Sequence, residues 1–284
     1  MILDSHCHAW RLWPYEPPVP DPESRGVVAQ LLFEMDQGGV DQAVIVCARI
    51  DHNPDNNDYV AASVRAFPHR LHQFADVDCA WATTYHAPGA ADRLSRAIEA
   101  YDLKGFTHYV RAEDDGSWFL SDEGQAFWRV AAENHQIVSL SIGPRLQATV
   151  RRVAEMFPSL ALLCHHMAGA RVGESADFPA LHAILESARW PNINIKLSGF
   201  HYVSNTPWGF PYADCEPVVR ALYEHFGPER LCWGSDYPVV RRSMTYRQSL
   251  EVVRSHCTFI PEPDRELILG ASLARLLARS GRPH

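Results

Sequence analysis

Short apolar, β-branched runs recur along the chain. Each is followed by a longer stretch whose apolar positions return every three or four residues. The short runs predict strands over residues 1–8, 43–49, 71–78, 103–109, 136–142, 161–167, 192–198 and 231–236. The longer stretches predict helices over 24–37, 55–66, 90–101, 122–134, 145–156, 178–189, 214–226 and 245–256, and a further helix over 263–278 closes the chain. Strand runs such as Ala43-Val44-Ile45-Val46 are mainly apolar, the pattern of a sheet buried on both faces. Strands that alternate with helices pair in parallel, because each return crossover needs a helix. Eight such units predict an α/β protein of one domain over residues 1–284: a distorted (β/α)8 TIM barrel with an extra C-terminal helix.

Composition narrows the function classes. The 284 residues are 46% hydrophobic and 21% charged, which suits a globular protein with a large core. The net charge of −8 argues against nucleic acid as the partner, since phosphate binding needs a basic face. No apolar run reaches membrane-spanning length, and the chain opens on a predicted strand, so neither a membrane segment nor an export leader is expected. Seven cysteines, an odd number without a Cys-x-x-Cys pair, read as free thiols in a reducing cytoplasm. Only Lys104 and Lys196 are lysines among 26 basic residues. Almost any anion-binding cation is therefore an arginine, which grips carboxylates bidentately.

In a barrel the C-terminal strand ends carry the chemistry. The first strand offers His6 and His8, two apart and so on one face, expected inward. The last ends at Asp236, in Gly234-Ser235-Asp236-Tyr237-Pro238, and becomes a neighbour of the first only if the sheet closes. Fifteen histidines yield about one His-x-His by chance, so position must supply the specificity. The second strand ends at Arg49, the fourth runs into His108 and Arg111, and the fifth carries Ser139 and Ser141. The sixth ends in His165 and His166, the seventh in Lys196, Ser198 and His201. Strand neighbours point to opposite faces, so only one of His165 and His166 is expected inside, and it is His166 if Leu163 and His165 turn outward.

Imidazoles and a carboxylate at one mouth can hold a zinc ion that activates water. They can also act without metal, with Asp236 as general base and His or Arg groups meeting the developing negative charge. In both cases Asp236 lies beside positive charge and its pKa should fall. Lys196, mid-strand, is read as half of an ion pair inside the barrel, and no two-metal centre is expected. Trp10, Trp13, Tyr15, Tyr85, Trp118, Trp208, Tyr212 and Tyr237 fall in predicted loops, and as a group they point to a cyclic small-molecule substrate.

Five segments, taken in order, resemble amidohydrolase family 2 of the amidohydrolase superfamily of barrel hydrolases. They are Leu3-Asp4-Ser5-His6-Cys7-His8-Ala9-Trp10, Asn57-Asp58-Tyr59, Leu163-Cys164-His165-His166-Met167-Ala168-Gly169, Lys196-Leu197-Ser198-Gly199 and Gly234-Ser235-Asp236-Tyr237-Pro238, and the match spans nearly the whole chain. Lys-Leu-Ser-Gly and the Trp after His-x-His look most like its lactonase branch, which holds sugar-acid (fuconolactonase-like) and pyrone-dicarboxylate lactonases. That resemblance implies lactone hydrolysis, with Asp236 as the base and His6, His8 and His166 around the carbonyl. The same four residues are the ligands if one divalent metal ion, zinc first, is bound, and members of the branch often lack a required metal. Arg111, Arg49 and Arg241 are the candidates for a substrate carboxylate, and His108 and Trp10 for further substrate contacts.

Two departures bear on the substrate. Gly105-Phe106-Thr107-His108 stands where sugar lactonases tend to carry Gly-(Val/Ile)-Arg-His, with Arg111 as the nearest replacement. His165 stands where Asn or Asp usually precedes the sixth-strand His. The alternative function is that of a neighbouring branch, the zinc-dependent non-oxidative decarboxylases of aromatic or unsaturated acids, which needs the same His and Asp positions plus a firmly bound metal.

Overall fold

The computed structural model describes residues 1–173 and 179–281. The first residue of the helix expected over 178–189 and the last three of the expected domain lie outside the described residues. Eight parallel strands pair in chain order. They are β1 (Leu3–Cys7), β2 (Gln42–Val46), β3 (Leu71–Asp76), β4 (Gly105–Tyr109), β5 (Ile137–Ser141), β6 (Ala161–Cys164), β7 (Ile193–Leu197) and β8 (Leu231–Trp233). Helices Val28–Gly38, Asn56–Ala66, Ala90–Tyr101, Asp122–Glu133, Gln147–Met156, Pro179–Glu186, Glu216–Phe226 and Tyr246–Glu251 alternate with them, as a (β/α)8 TIM barrel requires. Several strands stop short of the expected ends. β6 leaves the ladder at Cys164 and β8 at Trp233, and the chain beyond builds the mouth.

The barrel is packed, not hollow. Leu3, Val44, Phe74, Ile137, Leu163 and Cys232 meet Leu273 and Leu277 of the closing helix Ser272–Ala278, which plugs the floor. A larger apolar layer, including Leu31, Leu94, Phe127, Val150 and Leu222, fills the space between strands and helices. All seven cysteines are buried free thiols. Among the described residues no helix is long and apolar enough to cross a membrane.

The ring closes between β1 and β8 by a short seam. The Asp236 N–H donates to His6 O at 2.7 Å, and the His8 N–H to Tyr237 O at 2.6 Å. Asp4 clasps the seam from within. Its Oδ1 accepts from the His6 N–H at 3.0 Å and the Ser235 N–H at 2.9 Å, and its Oδ2 from the Tyr246 hydroxyl at 3.1 Å. Gly234 permits the close approach, since a Cβ there would stand 2.8 Å from His6 Cβ and 2.9 Å from Ser5 Oγ. This seam brings the two ends of the strand series to one place.

Candidate active site

Four imidazoles surround one carboxylate at the C-terminal mouth. Asp236 Oδ1 lies 3.6 Å from His6 Nε2, 3.6 Å from His8 Nε2 and 3.8 Å from His166 Nε2, and its Oδ2 lies 3.8 Å from His201 Nε2. Asp236 takes a left-handed backbone (φ 60°), which turns its side chain back over the mouth. Aspartate tolerates that region better than most residues. The four residues expected to do the chemistry are therefore together, and His201, from the short helix Phe200–Val203 after β7, joins them.

Each imidazole is oriented from behind. His8 Nδ1 is 2.6 Å from Val46 O, which can only accept, so Nδ1 carries a proton, and Nε2 is turned toward Asp236. Trp10 stacks on His8 at 5.0 Å and donates from Nε1 to Ala48 O at 2.9 Å. It is fully buried and backs the His8 ring. His166 Nδ1 faces Ser198 Oγ at 3.0 Å. His6 differs, because its Nδ1 faces the Lys196 ammonium at 3.0 Å, and Lys196 also donates to Ser139 Oγ at 2.6 Å. No carboxylate pairs with Lys196 within ion-pair distance among the described residues, which corrects the ion pair expected inside the barrel.

The expectation that only one of the two sixth-strand histidines faces inward is also corrected. Leu163 points into the floor cluster, so its strand neighbour two on, His165, points inward as well. It packs 4.4 Å from the His6 ring, and its Nε2 lies 2.6 Å from Ser139 Oγ. The strand has already ended, and His166, Met167 and Ala168 adopt positive φ of 45°, 52° and 54°. That left-handed run swings His166 into the mouth too, 4.6 Å from the His6 ring. Three such residues in a row store backbone strain, as functional sites often do. Gly199 makes room for it, since a Cβ there would stand 2.6 Å from His166 Nδ1.

Burial works on the charges here. It holds His6 and His165 well below the usual imidazole value, with Lys196 adding to the effect, and takes His166 down to about 4 against the pull of Asp236. It takes the Lys196 ammonium down to about 7. Burial pushes Asp236 upward, but His166, His8 and His201 outweigh it and hold the carboxyl below its ordinary value, in the expected direction. Tyr202 lies against His201 and His166 at 3.9 and 5.1 Å between rings. Burial and the Asp236 charge raise its pKa, so it stays a neutral hydroxyl.

Of the expected substrate contacts, Arg111 lines a cavity that reaches the cluster. That cavity, about 300 Å3, is walled by Arg111, Ser141, Gly143, Arg145, His165 and His166 among others. Arg111 donates to Ala80 O at 2.7 Å and lies 4.4 Å over the Tyr85 ring. His108 is excluded from the mouth. β4 turns Tyr109 toward His165, so His108 faces the helices, buried against Phe127 and Trp128 and 3.2 Å from His86 Nε2. Arg49 is exposed, with Nε donating to Pro54 O at 2.8 Å. Arg241 is exposed and lies beside Tyr237, while its neighbour Arg242 covers the Tyr15 ring at 4.9 Å. Ser139 and His201 stood among the polar residues expected at the strand ends, whereas Arg145, in the chain after β5, carried no signal in the sequence.

The donor set suits a divalent ion. Ligand atoms of His6, His8 and Asp236 lie within 4.8 Å of one another, and so do those of His6, His165 and His166. His6 Nε2 and Asp236 Oδ2 are buried without a hydrogen-bond partner, as atoms awaiting a ligand, water or metal would be.

The chain resembles known proteins at the level of family and fold. The family model described as Amidohydrolase matches residues 3–278. An L-fucono-1,5-lactonase of Burkholderia ambifaria is 33% identical over 103 residues, covering 35% of this chain and about a third (34%) of that protein. One from Burkholderia multivorans is 27% identical over 206 residues, 68% of each chain. An amidohydrolase of Burkholderia multivorans, solved with bound HEPES and with bound Zn, superposes with a TM-score of 0.77 at 21% identity, covering 98% of this chain and 99% of that one, a likeness of fold.

Proposed function

The chain belongs to the amidohydrolase family, and from that premise we propose that it is a lactonase, opening a small cyclic ester by attack of water. One observation carries this reading: a buried carboxylate, Asp236, held ionised within 3.8 Å of the imidazoles of His6, His8, His166 and His201 at a barrel mouth. Two L-fucono-1,5-lactonases among its relatives support the reaction class.

The geometry suggests how each group acts. His8 Nε2 and Asp236 Oδ1, 3.6 Å apart, can hold one water between them. Asp236 takes one proton as the water oxygen attacks the ring carbonyl. The tetrahedral oxyanion meets N–H donors of the imidazole cluster. The ring C–O bond then breaks, and the leaving alkoxide takes the proton from Asp236, which regenerates the base. A divalent ion held by His6, His8, His166 and Asp236 would polarise the carbonyl. Arg111 is assigned to a carboxylate on the substrate, across the cavity from His166. A cytoplasmic setting is part of the same proposal.

The alternative, a zinc-dependent decarboxylase, requires a firmly held metal. A panel of sugar lactones and carboxylate-bearing lactones, followed by acid release with and without chelator, tests the reading. Turnover of at least one class is expected. Release of carbon dioxide from an aromatic acid, without any lactone turnover, would overturn it.

A further inference from the structure

Arg111 is exposed, and an exposed arginine ordinarily samples many rotamers. Here it is fastened at both ends. Its Nε donates to Ala80 O at 2.7 Å and its Nη2 to Ala82 O at 3.4 Å, and its guanidinium carbon lies 4.4 Å over the Tyr85 ring. Its own backbone N–H donates to the Tyr85 hydroxyl at 3.1 Å. Two carbonyls and an aromatic ring leave the guanidinium charge uncompensated, and so open to an anion.

Tyr85 is itself braced. Its hydroxyl donates to Asp114 Oδ2 at 2.6 Å, and its ring stacks on His86 at 3.8 Å between centroids. His86 stacks in turn on Trp118 at 4.0 Å, and its Nδ1 lies 3.1 Å from the same Asp114 oxygen. Asp114 Oδ1 accepts from the Gly116 N–H at 2.7 Å, which closes the turn that follows Arg111. Arg145, which lines the same cavity, ties this turn as well, donating from Nη2 to Ala112 O at 2.9 Å and to Asp114 O. The ring under Arg111 and the loop that carries it are thus fixed before any substrate arrives.

We propose that Tyr85 is a positioning residue that aims Arg111, and so gives the mouth its preference for a carboxylate-bearing ring over a neutral one. The inference rests on the assignment of Arg111 to a substrate carboxylate, and goes beyond it by naming what holds that arginine. The Tyr85 hydroxyl sets the backbone of Arg111, and its ring face sets the guanidinium. A guanidinium ordered in advance loses less rotamer freedom when an anion binds, so the gain appears in affinity for the charged ligand alone.

The test measures the affinity of tetrahydrofuroate and of the matching carboxamide by isothermal titration calorimetry. The two share a ring and differ in charge, and neither can be opened as a lactone, so the readout does not depend on turnover. Wild type should bind the carboxylate about tenfold or more tightly than the carboxamide. Tyr85→Leu should reduce that ratio about fivefold, and Tyr85→Phe, which keeps the ring, about threefold. In the Arg111→Met background Tyr85→Leu should change neither affinity, because its effect runs through the arginine. Circular dichroism checks the fold of each variant. An unchanged ratio in folded Tyr85→Leu, an equal loss for both probes, or a further fall in the ratio in the Arg111→Met background overturns the inference. If Tyr85→Leu does not fold, an unchanged ratio in Tyr85→Phe overturns it. Equal affinity of wild type for both probes overturns it together with the assignment of Arg111, and leaves the lactonase reading to the lactone panel.

Discussion

Asp4 makes the barrel seam open to measurement. It is fully buried, and its two oxygens hold the His6 and Ser235 backbone N–H groups and the Tyr246 hydroxyl. Burial raises its pKa to about 6 from 3.8, and the bonds from Ser235, His6 and Tyr246 only partly offset that rise. A folded-state pKa above the unfolded one means that the folded protein binds the extra proton. The stability this group contributes is full below about pH 4 and is lost as pH rises through about 6. A shift of about two units corresponds to roughly 3 kcal/mol across that window. Asp4→Asn keeps an acceptor for the two backbone N–H groups and cannot titrate, so its stability relative to wild type should rise by roughly 3 kcal/mol between pH 4 and 7. Asp4→Ala strands two buried N–H groups and a hydroxyl, and should lose roughly 4 kcal/mol at pH 5. Urea unfolding of chelator-treated protein, followed by tryptophan fluorescence across this pH range, reads both quantities. A difference between wild type and Asp4→Asn that stays flat with pH, or an Asp4→Ala variant as stable as wild type, would refute the reasoning.

Three further outcomes follow from the site. Arg111→Met should raise KM for a carboxylate-bearing lactone by roughly 10–100-fold and leave a neutral lactone unchanged, since a charged hydrogen bond is lost only with the former; equal effects on both in initial-rate kinetics would remove Arg111 from the substrate. His108→Leu should lower unfolding stability by about 2 kcal/mol with KM unchanged, because His108 packs among the helices and bonds Val77 O and His86; a raised KM at full stability would return it to the substrate pocket. His201→Gln should move the acid limb of kcat/KM to higher pH, since His201 helps to hold Asp236 below its ordinary value; a pH–rate profile that does not move would detach His201 from the base.

Periodicity made the barrel legible because parallel strands buried on both faces leave dense apolar runs, and all eight were found near their expected places. The pairing of His6 and His8 with Asp236 was legible for the same reason: once the sheet closes, first and last strands are neighbours. What sequence spacing could not show lies where strand geometry stops. His165 and His166 both turn inward because β6 ends at Cys164 and a left-handed run follows, which a two-residue alternation cannot anticipate. His108 was misplaced because the register that turns Tyr109 inward depends on contacts across the sheet. Lys196 was expected to find a carboxylate and instead faces an imidazole and a hydroxyl, a matter of side-chain placement inside the barrel.

The central claim is that the carboxylate of Asp236 is the base. Asp236→Asn keeps the volume and removes the basicity, so the most direct measurement is kcat/KM of this variant against wild type on the best lactone of the panel, with melting temperature as control. The account predicts a loss of about 100- to 10,000-fold with an essentially unchanged melting temperature. Near-normal hydrolysis by a folded Asp236→Asn protein would contradict it.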